Sequence, residues 1–217
     1  MNKLRKEKSS LLDTEGSLVN LLFSTNCLFI RKIYERFGTE PIFDKDNNTI
    51  LKIDHYSHSA NGNYQLIVDA NNKFYLREKE WSFSKVHFLR NGHGKIAKMQ
   101  KKVFSFSPYF YLRTMNGKKL LETEKNSFNR ENFQILNLSN NKPACRVKFI
   151  KSRLGKNTEL RKYLKVEFLD SDVPKILALS FILFIRKLTM GYNGISDVAS
   201  YGRTIARLRP FGPKSFR

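Results

Sequence analysis

Along the middle of this chain, short aromatic or β-branched runs alternate with polar residues at period two. The clearest are Tyr64, Leu66 and Val68; Phe74 and Leu76; Val147 and Phe149; and Leu164, Val166 and Phe168, the last interleaved with Tyr163, Lys165 and Glu167. Side chains on a strand point alternately to opposite faces, so each run predicts a strand that is apolar on one face and wet on the other. Between the runs stand clusters of Asp, Asn and Gly at Asp44–Asn48, Asp69–Asn72, Asn91–Gly94, Asn116–Gly117 and Asn140–Asn141. Asn and Gly accept the positive φ that tight hairpin turns require. The clusters recur about every 23 residues, the span of two strands and a turn, which predicts a row of hairpins with about ten to twelve strands. That many antiparallel strands in one compact unit close into a barrel or sandwich, because closure removes vulnerable edges.

After Asp170 the period changes. Asp172-Val-Pro174 offers a helix start, with Asp172 as N-cap and Pro174 in the first turn. The run Ile176–Ile185 is apolar on every side, and its one polar side chain, Ser180, can bond a backbone carbonyl one turn back. A helix with no polar face must be enclosed by apolar matter. Ten residues span about 15 Å, roughly half a bilayer core, before Arg186-Lys187, so a protein interior suits the run better than lipid. A barrel of this size needs filling and the helix needs a wall. The joint expectation is a mainly β fold, a closed antiparallel barrel of about 12 strands around a central hydrophobic C-terminal helix at about 172–190. The chain then divides into a basic segment at 1–17, the barrel with its helix at 18–190, and a basic tail at 191–217.

Composition narrows the partner. The chain has 217 residues, 41% of them hydrophobic, which suits a single well-buried domain. Its net charge is +21, and because bases and acids balance through residue 72, the whole excess lies after Asn72. Such a field speeds encounters with polyanions and weakens with salt. Cys27 and Cys145 lack a Cys-x-x-Cys partner and cannot make a disulfide framework, so buried thiols are expected. With no leader pattern near Met1 and no apolar span of transmembrane length, a cytoplasmic location, peripheral at membranes, is the expectation.

The segments Ile42–Lys52, Tyr64–Lys73, Gly94–Lys102 and Tyr163–Asp170, the last running into Ile176–Leu179, occur in an order that resembles the tubby C-terminal-like superfamily. That superfamily includes the LURP-one-related proteins and the phospholipid scramblases, and the likeness covers about residues 18–190. It implies a twelve-stranded barrel around a central hydrophobic helix. In the tubby branch it also implies binding of phosphoinositide head groups through basic side chains, and in the scramblase branch calcium-dependent lipid movement. No diagnostic site motif of either branch matches residue by residue, so the likeness speaks for fold more than for function.

The densest basic region comprises Lys95, Lys98, Lys101 and Lys102, with Arg113, Lys118 and Lys119 on the next predicted hairpin, and no acid lies between Lys85 and Lys119. Lysines as point charges and Arg113 as a fork suit a phosphorylated head group or a nucleic-acid backbone, against the plainer reading of a solvated wall. The tail adds Arg203, Arg207, Arg209, Lys214 and Arg217, interleaved with Ile205, Leu208, Phe211 and Phe216, a pattern that fits a lipid interface, RNA, or a frayed terminus. Asp44-Lys-Asp-Asn-Asn48 opens like a calcium loop, but Thr49 and His55 occupy positions that need Gly and Glu, so a turn is expected and the scramblase-like reading is weakened. His55 and His58 have no Cys partners, and with His87 and His93 distant in sequence, solvated or locally bonded histidines are expected rather than a zinc site. Acids such as Glu78, Glu80, Glu122 and Glu124 suit cross-strand pairing with lysines. No nucleophile elbow, phosphate loop, dinucleotide fingerprint or His-Glu-x-x-His pair occurs. The leading expectation is a non-enzymatic, cofactor-free binding module for acidic membrane lipid. Its rivals are a nucleic-acid-binding barrel and a structural or protein-interaction domain.

Overall fold

The computed structural model describes residues 24–31, 38–56, 63–68, 73–79, 86–102, 108–124, 128–156 and 159–190. The basic segment 1–17, the turn cluster at 69–72 and the tail at 191–217 lie outside the described residues. Twelve strands follow one another: β1 (Cys27–Arg31), β2 (Gly38–Phe43), β3 (Thr49–Tyr56), β4 (Asn63–Ile67), β5 (Lys73–Glu78) and β6 (Val86–Asn91) make the first half. The second half is β7 (Gly94–Lys101), β8 (Phe110–Thr114), β9 (Lys119–Thr123), β10 (Asn132–Asn137), β11 (Lys142–Ser152) and β12 (Arg161–Phe168), after which comes the helix α1 (Lys175–Met190). Each strand pairs antiparallel with its sequence neighbour, and β1 closes the barrel against β12 from Cys27↔Glu167 to Arg31↔Tyr163. The expected barrel is therefore the observed one, and among the described strands no edge is left unpaired.

The period-two pattern sorts side chains between lumen and wall. Leu28, Ile30, Leu66, Leu76, Leu89, Met99, Leu112, Val147, Leu164 and Val166 point inward and are buried. Around them α1 fills the lumen: Ile176 through Ile185 are each at most 5% exposed, the burial required of a helix that is apolar all round. Phe184 meets Phe110 edge-on at 6.0 Å and stacks on Phe181 at 6.2 Å. Each such side chain contributes about 1.5–3 kcal/mol by leaving water. The Ser180 hydroxyl donates to the Ile176 carbonyl at 2.7 Å, so the core accepts it without an orphaned group.

The helix start differs from expectation. The Pro174 carbonyl accepts from the amides of Leu177 and Ala178, which makes Pro174, not Asp172, the N-cap position. The acid that organises this connection is Asp170. Its carboxylate accepts from Asn137 and Asn140 at 2.8 and 2.9 Å and from the Asp172 amide at 2.8 Å. At the four described turn clusters the sequence reading holds. Asp44 accepts from the amides of Asp46 and Asn48 and from the Asn48 side chain, with Asn47 at φ +69°, so that carboxylate is engaged by its own hairpin.

Topology gives the barrel two unlike ends. One carries the β2–β3, β6–β7, β8–β9 and β10–β11 turns and the start of α1; we call it the turn rim. At the other, the exit rim, α1 ends beside β2, β5 and β6. Outside the wall, the β11–β12 connection folds back so that Leu154 covers Phe29 and Tyr163, whose rings meet edge-on at 6.1 Å. Tyr163, although on the outward face, is thereby buried.

Candidate anion-binding wall

Strand register decides which cations act together. Across β6, β7, β8 and β9 the partners Phe88↔Lys98, Lys98↔Arg113 and Arg113↔Lys119 form one transverse row on the outer wall, because their neighbours Leu89, Ala97, Met99, Leu112 and Leu121 are buried inside. Directly opposed side chains lie about 4.5–5.5 Å apart at Cβ, so three cations stand side by side with no acid in the row. Arg77, paired with Phe88, extends the row onto β5. Lys95 joins the same face through an irregularity. Strict alternation from Ala97 would turn it inward, but the register shifts between Leu89 and Arg90. Lys95 then lies beside Arg90 with its Nζ 4.5 Å from the centre of the Phe88 ring.

The cations rest on aromatic rings that the sequence reading did not assign to the site. The Arg113 guanidinium lies 4.7 Å from the Tyr111 ring centre, and Lys119 lies 5.3 Å from Tyr111 and 5.7 Å from Tyr109. Arg77 lies 5.5 Å from the Tyr75 ring. Such contacts favour a cation over the negative face of a ring. Their clue was the shared parity of Tyr109, Tyr111 and Arg113. The Arg113 Nε, shielded from solvent, finds no hydrogen-bond acceptor among the described residues. Tyr109 donates a short hydrogen bond to Glu122, and burial first, then that bond and the carboxylate charge, push the phenol well above its ordinary range. Glu122 is thus tucked under Tyr109, with Lys119 3.9 Å away.

The other predicted residues are elsewhere. Lys118 sits in the β8–β9 turn, where its amide bonds the Thr114 hydroxyl, beside the row at the turn rim. Lys101 and Lys102 end β7 at the exit rim, far along the strand from Lys95. The seven residues therefore divide into a wall group of Lys95, Lys98, Arg113 and Lys119, with Lys118 at its margin, and a rim pair. Arg203, Arg207, Arg209, Lys214 and Arg217 lie outside the described residues.

Two acids hold the end of the helix: Glu40, which the sequence did not single out, and Glu78, which was expected to pair with lysines across strands. Arg186 places its two terminal nitrogens 3.1 and 3.0 Å from the carboxylate of buried Glu40 on β2 and also donates to the Arg31 carbonyl. Lys187 faces β5 and β6, with Nζ 2.7 Å from His87 Nε2 and 3.7 Å from Glu78. His87, expected to be solvated or locally bonded, is fully buried and bonded to a residue one hundred positions away. Cys145 is buried, and its thiol is pushed up to about 12 by desolvation first and by Asp170 second. Cys27 departs from the buried-thiol expectation by being only half-buried. No helix among the described residues is long and apolar enough to cross a membrane. A scan of known families and a search of characterised proteins both found no match to this chain.

Proposed function

We propose that this chain is a non-enzymatic binding module of the tubby-like kind, attaching reversibly to acidic membrane lipid, phosphorylated head groups foremost, through its cationic wall. The observation that carries this reading is the row Lys98–Arg113–Lys119, in which no acid stands in register and which Glu122 approaches at its Lys119 end. Like charges placed directly opposite on a sheet cost stability, and an anion seated against them removes that cost. The size of the effect fits reversibility. A basic side chain near an acidic bilayer contributes about 1 kcal/mol, so Lys95, Lys98, Arg113 and Lys119 supply roughly 4 kcal/mol, a millimolar affinity on their own. Tighter attachment needs a multiply charged head group or the additional cations of the tail.

The rings favour lipid over nucleic acid. Bases stack on open aromatic faces, whereas Tyr111 is covered by Arg113 and Lys119, and Tyr109 is buried. The deciding experiment offers the full chain neutral vesicles, vesicles bearing phosphoinositides, and single-stranded RNA at two salt concentrations. Sedimentation with the phosphoinositide vesicles that weakens with salt is expected. Equal sedimentation with neutral vesicles, or a salt-sensitive gel shift of RNA without vesicle binding, would transfer the assignment.

A further inference from the structure

At the exit rim α1 is held by a buried polar cluster that wall binding does not use. A lysine ammonium has hydrogens to give and no lone pair to receive. In the 2.7 Å contact Lys187 Nζ must therefore donate and His87 Nε2 accept, which requires a neutral imidazole. Glu78 stands opposite His87 in register, its carboxylate 3.8 Å from His87 Nε2 and 3.7 Å from Lys187 Nζ, within reach of either as a charge partner. Described neighbours from three elements also face the cluster. From α1 the Phe184 ring lies 5.1 Å from the imidazole; from β7 the cross-strand neighbour is Met99; from β4 the Tyr64 ring lies 5.8 Å from Lys187 Nζ. Arg186 is already held by Glu40.

From this arrangement we infer that Glu78, His87 and Lys187 form a proton-operated latch on the end of α1. Protonating His87 turns Nε2 from acceptor to donor and, among the described residues, sets two cations beside the Glu78 carboxylate in a largely buried site. The conflict is resolved by an exchange of partners. The imidazolium takes Glu78, Lys187 swings out to solvent, and the last turn of α1 from Lys187 to Met190 loosens. The latched state holds His87 neutral, so its stability is whole above the ordinary imidazole range, about pH 6.5, and falls as pH drops through and below it. The chain beyond Met190, which carries the tail cations, is attached to this turn. Acid thus frees the anchor point of the tail while Arg186–Glu40 keeps the body of the helix seated. The inference does not depend on what the wall binds.

Amide hydrogen exchange of the full chain between pH 7.5 and 5, corrected for intrinsic rates, tests it directly. Exchange in 187–190 should accelerate by up to about tenfold per pH unit once His87 protonates, while 177–184 stays protected. His87→Gln, whose carbonyl oxygen can still accept from Lys187 but does not titrate, should abolish the acceleration. Lys187→Met should remove it as well, by eliminating the competing cation. Acceleration that persists in His87→Gln, or exchange in the wild type that is flat across this range, would overturn the latch. Should His87→Gln fail to fold, the imidazole resonances of wild type and Lys187→Met decide. His87 must protonate at higher pH without Lys187, and an unchanged titration refutes the coupling.

Discussion

Single residues fix both the strain in this molecule and its readable chemistry. Gly155 marks a position where any other residue would be strained. At φ +54° it donates its amide to the Lys45 carbonyl, and a Cβ there would stand 2.4 Å from the Asp46 carbonyl oxygen. Gly155→Ala should therefore cost about 1–3 kcal/mol, because backbone rather than a flexible side chain must yield. A urea midpoint unchanged from wild type would show that the loop does not pack on the β2–β3 turn. The residue scale is also where sequence reading fell short. Lys95, expected among the binding residues, does face the wall, but through a register shift that breaks strict alternation, so the imperfect alternation over Lys95–Lys102 could not say which lysines point outward together. The pairing of His87 with Lys187 spans one hundred positions, and no periodicity encodes it. Tyr109 and Tyr111 were legible in principle, since they share the parity of Arg113, but a search confined to charge passes over rings.

Whole elements were far more legible, because binary pattern is a property of runs rather than of positions. Turn clusters at Asp44–Asn48, Asn91–Gly94, Asn116–Gly117 and Asn140–Asn141 fell between strands as expected, and the apolar run became the enclosed helix. The cap was misplaced because Asp172 has the right residue type, while the carbonyl that accepts the first helical bonds belongs to Pro174. Burial of α1 makes a severe prediction. Phe181→Asp puts an unpaired charge at a fully enclosed position and should abolish the cooperative thermal transition; a soluble, cooperatively melting variant would refute the enclosure. The connection into α1 should also carry an acid sensitivity. Burial acts to raise the Asp170 carboxyl, but hydrogen bonds from Asn137, Asn140 and the Asp172 amide outweigh it and hold the group below its ordinary value. Its contribution is present above the unfolded value of about 3.9 and is lost as pH falls through the depressed folded value. Asp170→Asn should be less stable than wild type at pH 7, with the gap narrowing toward pH 2. A gap in urea midpoints that stays constant would exclude this origin.

For the molecule as a whole, closure and charge pull in different directions. Pairing β1 with β12 joins the two ends of the strand order, so the barrel is completed by one of its longest-range contacts, while the field after Asn72 repels itself. The wall row concentrates that repulsion where it is useful only if an anion answers it. Neutralising Lys98, Arg113 and Lys119 together to Gln should therefore move two quantities in opposite senses. Thermal stability in the absence of ligand should stay level or rise slightly, through relief of cross-strand repulsion worth a few tenths of a kcal/mol per pair. Affinity for acidic vesicles should fall. The most direct measurement is the apparent affinity of wild type and this triple variant for phosphoinositide vesicles at low and physiological salt. The account predicts a drop of at least about tenfold and a shallower salt dependence in the variant, whereas equal affinity and equal salt slope in a well-folded variant would contradict it.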